Sequence, residues 1–189
     1  MRFKSMFAAT DMTEGSPWKR ILQFSVPMIL GNIAQQLYNT ADTVIVGMYV
    51  GDNALSAVGS AAPILNLLLA LFVGISTGAG IVISQCCGAR DRQGLSKNIG
   101  NCITLTVMAS VFIMIFAPLI TRPMLNLLDT PASIIDWCED YLNIYFYGIL
   151  GFFLYNMLSG VLRGLGDSAS ALIFLLVAAA LNVILDLLF

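Results

Sequence analysis

The chain has 189 residues, of which 58% are hydrophobic and 11% are charged, and its formal net charge is −2. Because soluble domains carry about 25% charged residues, this composition indicates a membrane protein. The acidic balance offers no basic face to nucleic acid, and the absence of histidine excludes a histidine proton relay. The four cysteines form no CxxC pair, so we interpret them as small apolar residues.

Five apolar stretches follow one another along the chain, after a polar segment at residues 1–16 that we expect to be cytoplasmic. A helix of about 20 apolar residues crosses the hydrocarbon layer of a bilayer, and the continuous apolar character excludes membrane strands. We therefore predict an all-α polytopic membrane protein with five transmembrane helices. They are expected at residues 17–50, 53–87, 94–121, 132–163 and 168–189.

Local signals mark several helix starts. Ser16 precedes Pro17, and Thr130 precedes Pro131, which is the order of an N-cap followed by a first-turn proline. Asp52 or Asn53 is expected to cap the second helix, and Asp167 or Ser168 the last one.

The basic residues fix the orientation. Eight lysines and arginines lie before the charge-free run of span one, or between the charge-free runs of spans two and three and of spans four and five, whereas Arg122 is the basic residue of the opposite side. By the positive-inside rule, the N-terminus is predicted to be cytoplasmic.

Span one carries a polar stripe formed by Gln35, Tyr38, Asn39 and Asp42, which recur at helical spacing. An ionisable side chain inside a membrane is costly and usually faces a cavity or a partner. A structural patch of interhelical hydrogen bonds is the alternative. Pro27, earlier in the same span, is expected to kink the helix, as a tolerated proline or as a hinge.

Span five ends with Asn182 and Asp186, which share one helical face. Asp186 lies ~27 Å from the cytoplasmic end of its helix, and Asp42 also falls in the outer half of span one. We expect the two carboxylates to share a pocket for a proton or a hard cation such as Na⁺. Alternatively, Asn182 forms a structural hydrogen bond between helices, and Asp186 lies at the membrane–water interface near the end of its span.

Glycine pairs at GxxxG spacing predict close helix packing at three places, Gly74 and Gly78, Gly47 and Gly51, and Gly160 and Gly164. Gly164-Leu165-Gly166-Asp167 also spells the GxGD of intramembrane aspartyl proteases, but its place at a predicted cytoplasmic turn favours a glycine turn with a helix cap.

The order and spacing of these residues resemble the N-terminal lobe of multidrug and toxic compound extrusion (MATE) transporters. The matching stretches are Pro27, Gln35 to Asp42 with Gly47 and Gly51, Ser84-Gln85 with Gly88-Ala89, Leu162 to Asp167, and Leu181 to Asp186. The resemblance implies five helices of a six-helix lobe, with residues 17–189 as a partial lobe, and a second six-helix lobe absent from this sequence.

The resemblance also implies the activity, which in this family is export of small cationic or amphiphilic drugs coupled to H⁺ or Na⁺ entry, without a cofactor. It assigns cation binding, and thereby a Na⁺ site, to Asp42, Asn182 and Asp186. It assigns the substrate cavity to Gln35, Tyr38, Asn39, Tyr141 and Asn156. The expected location is a bacterial inner membrane, with multiple passes through the bilayer.

Two other functions remain open. Lipid-linked precursor flippases share the superfamily architecture but carry basic residues in a central cavity, and no lysine or arginine is expected inside the apolar runs here. The second alternative is that the chain is a membrane fragment that does not transport. The sequence shows no nucleophile–base pair, so an enzyme is not expected.

Overall fold

The computed structural model describes residues 15–49 and 52–188. These residues form five α-helices and no strand, which confirms the predicted all-α fold. The helices are α1 (Pro17–Tyr49), α2 (Asp52–Gly88), α3 (Arg92–Leu127), α4 (Ile135–Gly164) and α5 (Ser168–Leu188).

Four of the helices, α2 to α5, are long and apolar enough to cross a membrane by length and composition. The 33-residue α1 is long enough but is not among them. The cause is its polar stripe, which lowers the mean hydropathy of the segment. A helix that lines an internal cleft needs apolar side chains only on its lipid side, so the crossing by α1 stays a prediction.

The boundaries show where local signals succeed and fail. α1 begins at Pro17, as the Ser16–Pro17 pair predicts, and Asp167 caps α5, since its Oδ1 accepts a hydrogen bond of 2.9 Å from the Ser170 N–H. The start predicted from Thr130–Pro131 is wrong. Residues 132–134 form a turn instead, and α4 begins at Ile135 without a side-chain cap.

The predicted end of α3 at residue 121 is also wrong, because the helix continues through Pro123 to Leu127. It ends where Asp129 adopts a positive φ of 51° and the Thr130 N–H bonds back to the Leu125 carbonyl at 3.1 Å. This backbone arrangement satisfies the last carbonyls of a helix. It is set by the left-handed residue rather than by proline.

The core lies between α2 and α4, whose backbones approach closely, and α3 packs against α4. A Cβ added to Gly164 would lie 2.7 Å from the Gly80 carbonyl oxygen, and one added to Gly160 would lie 2.8 Å from the Ser76 carbonyl oxygen. The Ser76 hydroxyl donates to the Asn156 carbonyl at 2.7 Å across this contact. Phe72 of α2 stacks on Phe153 of α4, with ring centroids 3.4 Å apart.

The packing role expected of the glycine pairs is therefore confirmed at Gly160 and Gly164 but wrong at Gly74 and Gly78, where an added Cβ meets nothing within 4 Å. At Gly47 an added Cβ would meet a Leu55 methyl, at the ordinary contact distance of 3.6 Å. Gly51 lies outside the described residues.

α1 packs mainly along α5 rather than on the α2–α3–α4 core. The Ser168 hydroxyl donates to the Phe24 carbonyl at 3.2 Å, and a Cβ on Gly31 would touch the side chains of Leu172 and Leu175 at 3.6 and 3.7 Å. The two helices start on the same side and run parallel. A cleft remains between α1 and α4, and Gln35 and Asn156 are among the predicted site residues that line it.

Candidate functional site

The polar stripe of α1 faces α4 in its upper half. The Asp42 carboxylate is close enough for an electrostatic interaction with the phenol of Tyr141, which lies in the second turn of α4. Tyr145, one turn further, interacts electrostatically with both Tyr141 and Tyr38. These interactions join four half-buried side chains into a polar cluster between α1 and α4, namely Tyr38, Asp42, Tyr141 and Tyr145.

A cavity of about 70 Å³ lies between α1, α4 and α5, on the side of this cluster that is nearer the start of α1. From α1 it is lined by Pro27, Asn32 and Gln35, and from α4 by Asn156 and Ser159. The Asn156 Nδ2 donates to the Phe152 carbonyl of its own helix at 2.9 Å, so this hydrogen bond does not use its Oδ1 as an acceptor. Gln35 and Asn156 thus line one space, whereas Asn39 is exposed and is not part of this lining.

The register between α1 and α5 brings the end of α5 to the level of Asp42. Ser168 contacts Phe24 at a sequence separation of 144 residues, and the same separation relates Leu175 to Gly31. It also relates Asp186 to Asp42. Since parallel helices rise equally, at 1.5 Å per residue, the backbones at residues 42 and 186 lie at similar height. The side chain of Asp186 lies outside the described part of the structure.

Asn182 lies one turn before Asp186 and carries the most unusual polar atom of the site. Its Oδ1 is buried and finds no hydrogen-bond donor among the described residues. Buried polar atoms nearly always have a partner, and an exception needs an explanation. A carbonyl oxygen without a donor is a suitable ligand for a hard cation.

The described residues contain no group of three or more His, Cys, Asp or Glu side chains arranged to hold a metal ion. A site at Asp42 and Asn182 would instead combine one carboxylate with an amide oxygen, which are ligands that suit a hard monovalent cation better than zinc or copper.

Four residues of the cleft were missed by sequence reasoning as site residues: Asn32, Tyr145, Ser159 and Arg163. Three of them continue a helical pattern from a residue that was identified. Asn32 precedes Gln35 by three positions, Tyr145 follows Tyr141 by four, and Ser159 follows Asn156 by three. Extending each stripe by one turn would have found them.

Arg163 was expected in the connection between spans four and five, but it belongs to helix α4. It lies in the last turn of α4 and lines both the 70 Å³ cavity and a second cavity of about 340 Å³ between α1, α2 and α4. A long side chain at a helix end can fold back along its helix, so its charge lies deeper than its sequence position indicates.

A family model for MatE matches residues 27–188, which is most of the chain. The chain belongs to the MatE family. This confirms the resemblance drawn from the sequence, and the match includes Pro27, the polar stripe of α1, and Asn182 and Asp186.

Among the relatives of this MatE chain are two proteins of Bacillus subtilis (strain 168). The probable multidrug resistance protein YpnP is 35% identical over 96% of this chain and 41% of its own length. The probable multidrug resistance protein YoeA is 32% identical over 90% of this chain and 37% of its own length. The chain therefore spans about two-fifths of the length of these relatives.

The fold also matches a solved structure described as the outward-facing conformation of a multidrug resistance MATE family transporter of the MOP superfamily. The TM-score is 0.87 at 28% sequence identity, and the match covers 94% of this chain and 39% of the other. The five helices thus correspond to a multi-pass membrane fold.

Proposed function

We propose that this chain acts in a multidrug efflux transporter that exchanges small cationic or amphiphilic substrates for H⁺ or Na⁺. In this proposal it supplies the cation site, formed by Asp42, Asn182 and Asp186. The names of its Bacillus relatives support the transport class. Because the chain spans about two-fifths of their length, a second six-helix lobe would complete the transporter.

The observation that carries the proposal is the buried Oδ1 of Asn182. It lies on the helix that packs along α1, one turn from the level of Asp42, and it finds no donor among the described residues. A bound cation would take this oxygen as a ligand and neutralise the Asp42 carboxylate at the same time. A purely structural patch of hydrogen bonds would instead have satisfied the amide.

Coupling needs only that the cation and the substrate favour different conformations. Cation binding between α1 and α5 would favour one arrangement of α1 against α4, with a bend at Pro27, which is buried against the cavity. The driving force is adequate, since one charge that crosses 100 mV releases ~2.3 kcal/mol.

The walls of the cleft suit amphiphilic substrates. A cavity of about 590 Å³ between α4 and α5 is lined by leucines and valines with Phe174 and with Tyr155, which also lines the smaller polar cavity. Ligand cavities for drug-sized molecules measure roughly 300–1,000 Å³. An apolar wall next to a polar cleft would accept a molecule with one apolar and one charged part.

The flippase alternative requires a basic cavity for anionic headgroups. Of the residues that line these three cavities, within 15–49 and 52–188, Arg163 alone is basic, and it lies at one end. The rest of the cleft is occupied by Asp42 and by tyrosine and amide side chains, namely Tyr38, Tyr141, Tyr145, Asn32, Gln35 and Asn156. This balance favours cationic or neutral substrates over a phosphate-bearing lipid.

The test is cation binding by the chain in lipid nanodiscs, measured as the shift of its thermal unfolding midpoint, Tm. Replacing choline chloride by saturating NaCl should raise Tm, because a ligand at about 100 times its Kd stabilises the folded state by ~2.7 kcal/mol. For a domain of this size that corresponds to a shift of roughly 5–10 °C. Asp42→Asn and Asn182→Leu should each remove the Na⁺ response.

Asp129→Asn is the matched control, because Asp129 is an exposed acid in the α3–α4 turn, outside the cleft. It should keep the full response. If H⁺ is the coupling ion, Na⁺ has no effect, and infrared difference spectra across the neutral pH range should show a carboxyl band that Asp42→Asn abolishes. Absence of both signals in the unmodified chain, or their persistence in Asp42→Asn, contradicts the proposed site.

A further inference from the structure

We propose that Arg163 is a positively charged barrier at the predicted cytoplasmic end of the cleft between α1 and α4, which excludes cations that approach from that side. The meaning of this barrier for transport rests on the proposed function. The electrostatic selectivity itself follows from the geometry and can be measured without transport.

Arg163 occupies the junction of the two cavities that flank the start of α1. Together with Met28 it lines both the 70 Å³ cavity and the 340 Å³ cavity, and Phe24 also lines the second one. Ser84, near the end of α2, lines the same space. A solute that moves from this end of the helices into the cleft therefore passes the Arg163 side chain.

The guanidinium is held back along α4, towards the interior of the cleft. Its Nε donates to the Ser159 carbonyl, one turn earlier, at 3.2 Å, and the residue is half-buried. Arg163 forms no ion pair with any of the side chains that the structure describes. Asp167, the nearest acid in sequence, uses its Oδ1 to cap α5 through the Ser170 N–H. The positive charge is thus not neutralised locally.

Charges of opposite sign therefore stand at the two ends of one polar cleft. Asp42 lies in the tyrosine cluster, Arg163 lies at the predicted cytoplasmic end, and Gln35, Asn156 and Ser159 lie between them. Partly buried charges act on one another more strongly than charges in water, because the surrounding dielectric constant is lower. A cation is attracted from the Asp42 end and repelled from the Arg163 end.

Two consequences follow for a cation-coupled cycle. A coupling cation reaches Asp42 from outside and does not leak inwards in this conformation, and its release inwards requires Arg163 to move together with the first turns of α1. A cationic substrate from the cytoplasm must enter by another route, such as the apolar cavity between α4 and α5.

The test uses Gln35→Cys as a reporter, because Gln35 is exposed and lies in the cleft above Arg163. Inside-out vesicles that contain the chain are treated with two methanethiosulfonate reagents of similar size, one with a trimethylammonium group and one with a sulfonate group. Peptide mass spectrometry reads the labelling rate at position 35. The native Cys87, exposed near the end of α2, is the internal reference for reagent delivery.

With Arg163 present, the anionic reagent should label position 35 at least about tenfold faster than the cationic reagent, after normalisation to Cys87, a difference that corresponds to ~1.4 kcal/mol. Arg163→Gln should remove this preference, and Arg163→Lys should keep most of it. Asp42 is common to all variants, so its attraction for cations cancels in the comparison. A merely structural role of Arg163 would raise both rates alike and leave their ratio unchanged.

Equal rates for the two reagents in the chain with Arg163, or an unchanged ratio in Arg163→Gln, would overturn the barrier. Failure of the cationic, anionic and neutral reagents to label position 35 from this side would also overturn it, because the cleft would then have no opening there. Labelling requires no bound cation and no drug, so a chain that fails the Na⁺ and infrared tests can still show the barrier, and the two proposals fail separately.

Discussion

At the scale of single residues, Arg122 joins the end of α3 to the first turns of α4 through two carboxylates. Its Nη1 lies 2.6 Å from Glu139 Oε2 and its Nη2 lies 3.0 Å from Asp136 Oδ1. The side chain of Glu139 is 23% exposed and that of Asp136 is 73% exposed. Because solvent screens exposed pairs, the two bonds should differ in strength although they share one guanidinium.

Double-mutant cycles with Arg122→Gln should resolve this difference in the free energy of unfolding. We expect a measurable coupling energy between Arg122 and Glu139, and a smaller one, close to the error of the measurement, between Arg122 and Asp136. Glu139→Gln and Asp136→Asn are the matched partners, measured by denaturation in detergent micelles. A larger coupling energy for the Arg122–Asp136 pair than for the Arg122–Glu139 pair would show that solvent exposure does not determine their relative strength.

At the scale of helices, the close approach of α2 and α4 depends on two particular glycines. A Cβ at Gly164 would lie 2.7 Å from the Gly80 carbonyl oxygen and 3.1 Å from an Ile83 methyl, and the Gly80 oxygen is backbone and cannot turn away. We therefore expect Gly164→Ala to separate the helices and to destabilise the bundle by about 1–3 kcal/mol.

Gly78→Ala is the control on the facing helix, because an added Cβ there meets nothing within 4 Å. It should be neutral, or stabilising by up to about 1 kcal/mol, since alanine restricts the unfolded chain. The measurement is Tm in the same detergent for both variants. Equal Tm values for Gly164→Ala and Gly78→Ala would mean that the helices shift apart at no cost.

The helices of this protein could be predicted from composition because every apolar run is long and none alternates. Their ends were less predictable. The end of α3 depends on the left-handed backbone conformation of Asp129, and the presence of an aspartate in the sequence does not determine that conformation. Glycine spacing alone could not separate Gly164 from Gly78, because the choice depends on which face of α2 meets α4.

The candidate site was predictable in part for a similar reason. Helical spacing groups Gln35, Tyr38 and Asp42 on one face of α1, and a polar face inside a membrane indicates a cleft. Spacing within one helix does not give the height of one helix against another. The offset of 144 residues that brings the backbone of residue 186 to the height of Asp42 comes from the contact of Phe24 with Ser168, which the sequence does not reveal.

At the scale of the whole molecule, the packing divides the helices into two groups. α2, α3 and α4 share the buried core, whereas α1 packs chiefly along α5 and has few contacts with the other group. The cleft with Asp42 lies between the groups. Since the proposed cation ligands belong to α1 and α5, a bound cation would tighten one group and shift it against the other.

Distances between spin labels should reveal this shift. Leu37 on α1, Leu67 on α2 and Leu119 on α3 are all exposed and suit cysteine labelling in a background where the native cysteines are replaced by alanine. We expect saturating Na⁺, or protonation if H⁺ is the coupling ion, to change the distance distribution of the Leu37→Cys/Leu67→Cys pair. The Leu67→Cys/Leu119→Cys pair, within one group, should not change.

Two further variants separate cation binding from bending in this measurement. Asp42→Asn should remove the change in the α1–α2 distance, because the ligand that responds to the cation is lost. Pro27→Ala should keep cation binding but reduce the change, since alanine restores the helical hydrogen bond that proline lacks. Equal changes in both label pairs would contradict a motion of one group against the other, and a full change in Pro27→Ala would exclude the proline as the hinge.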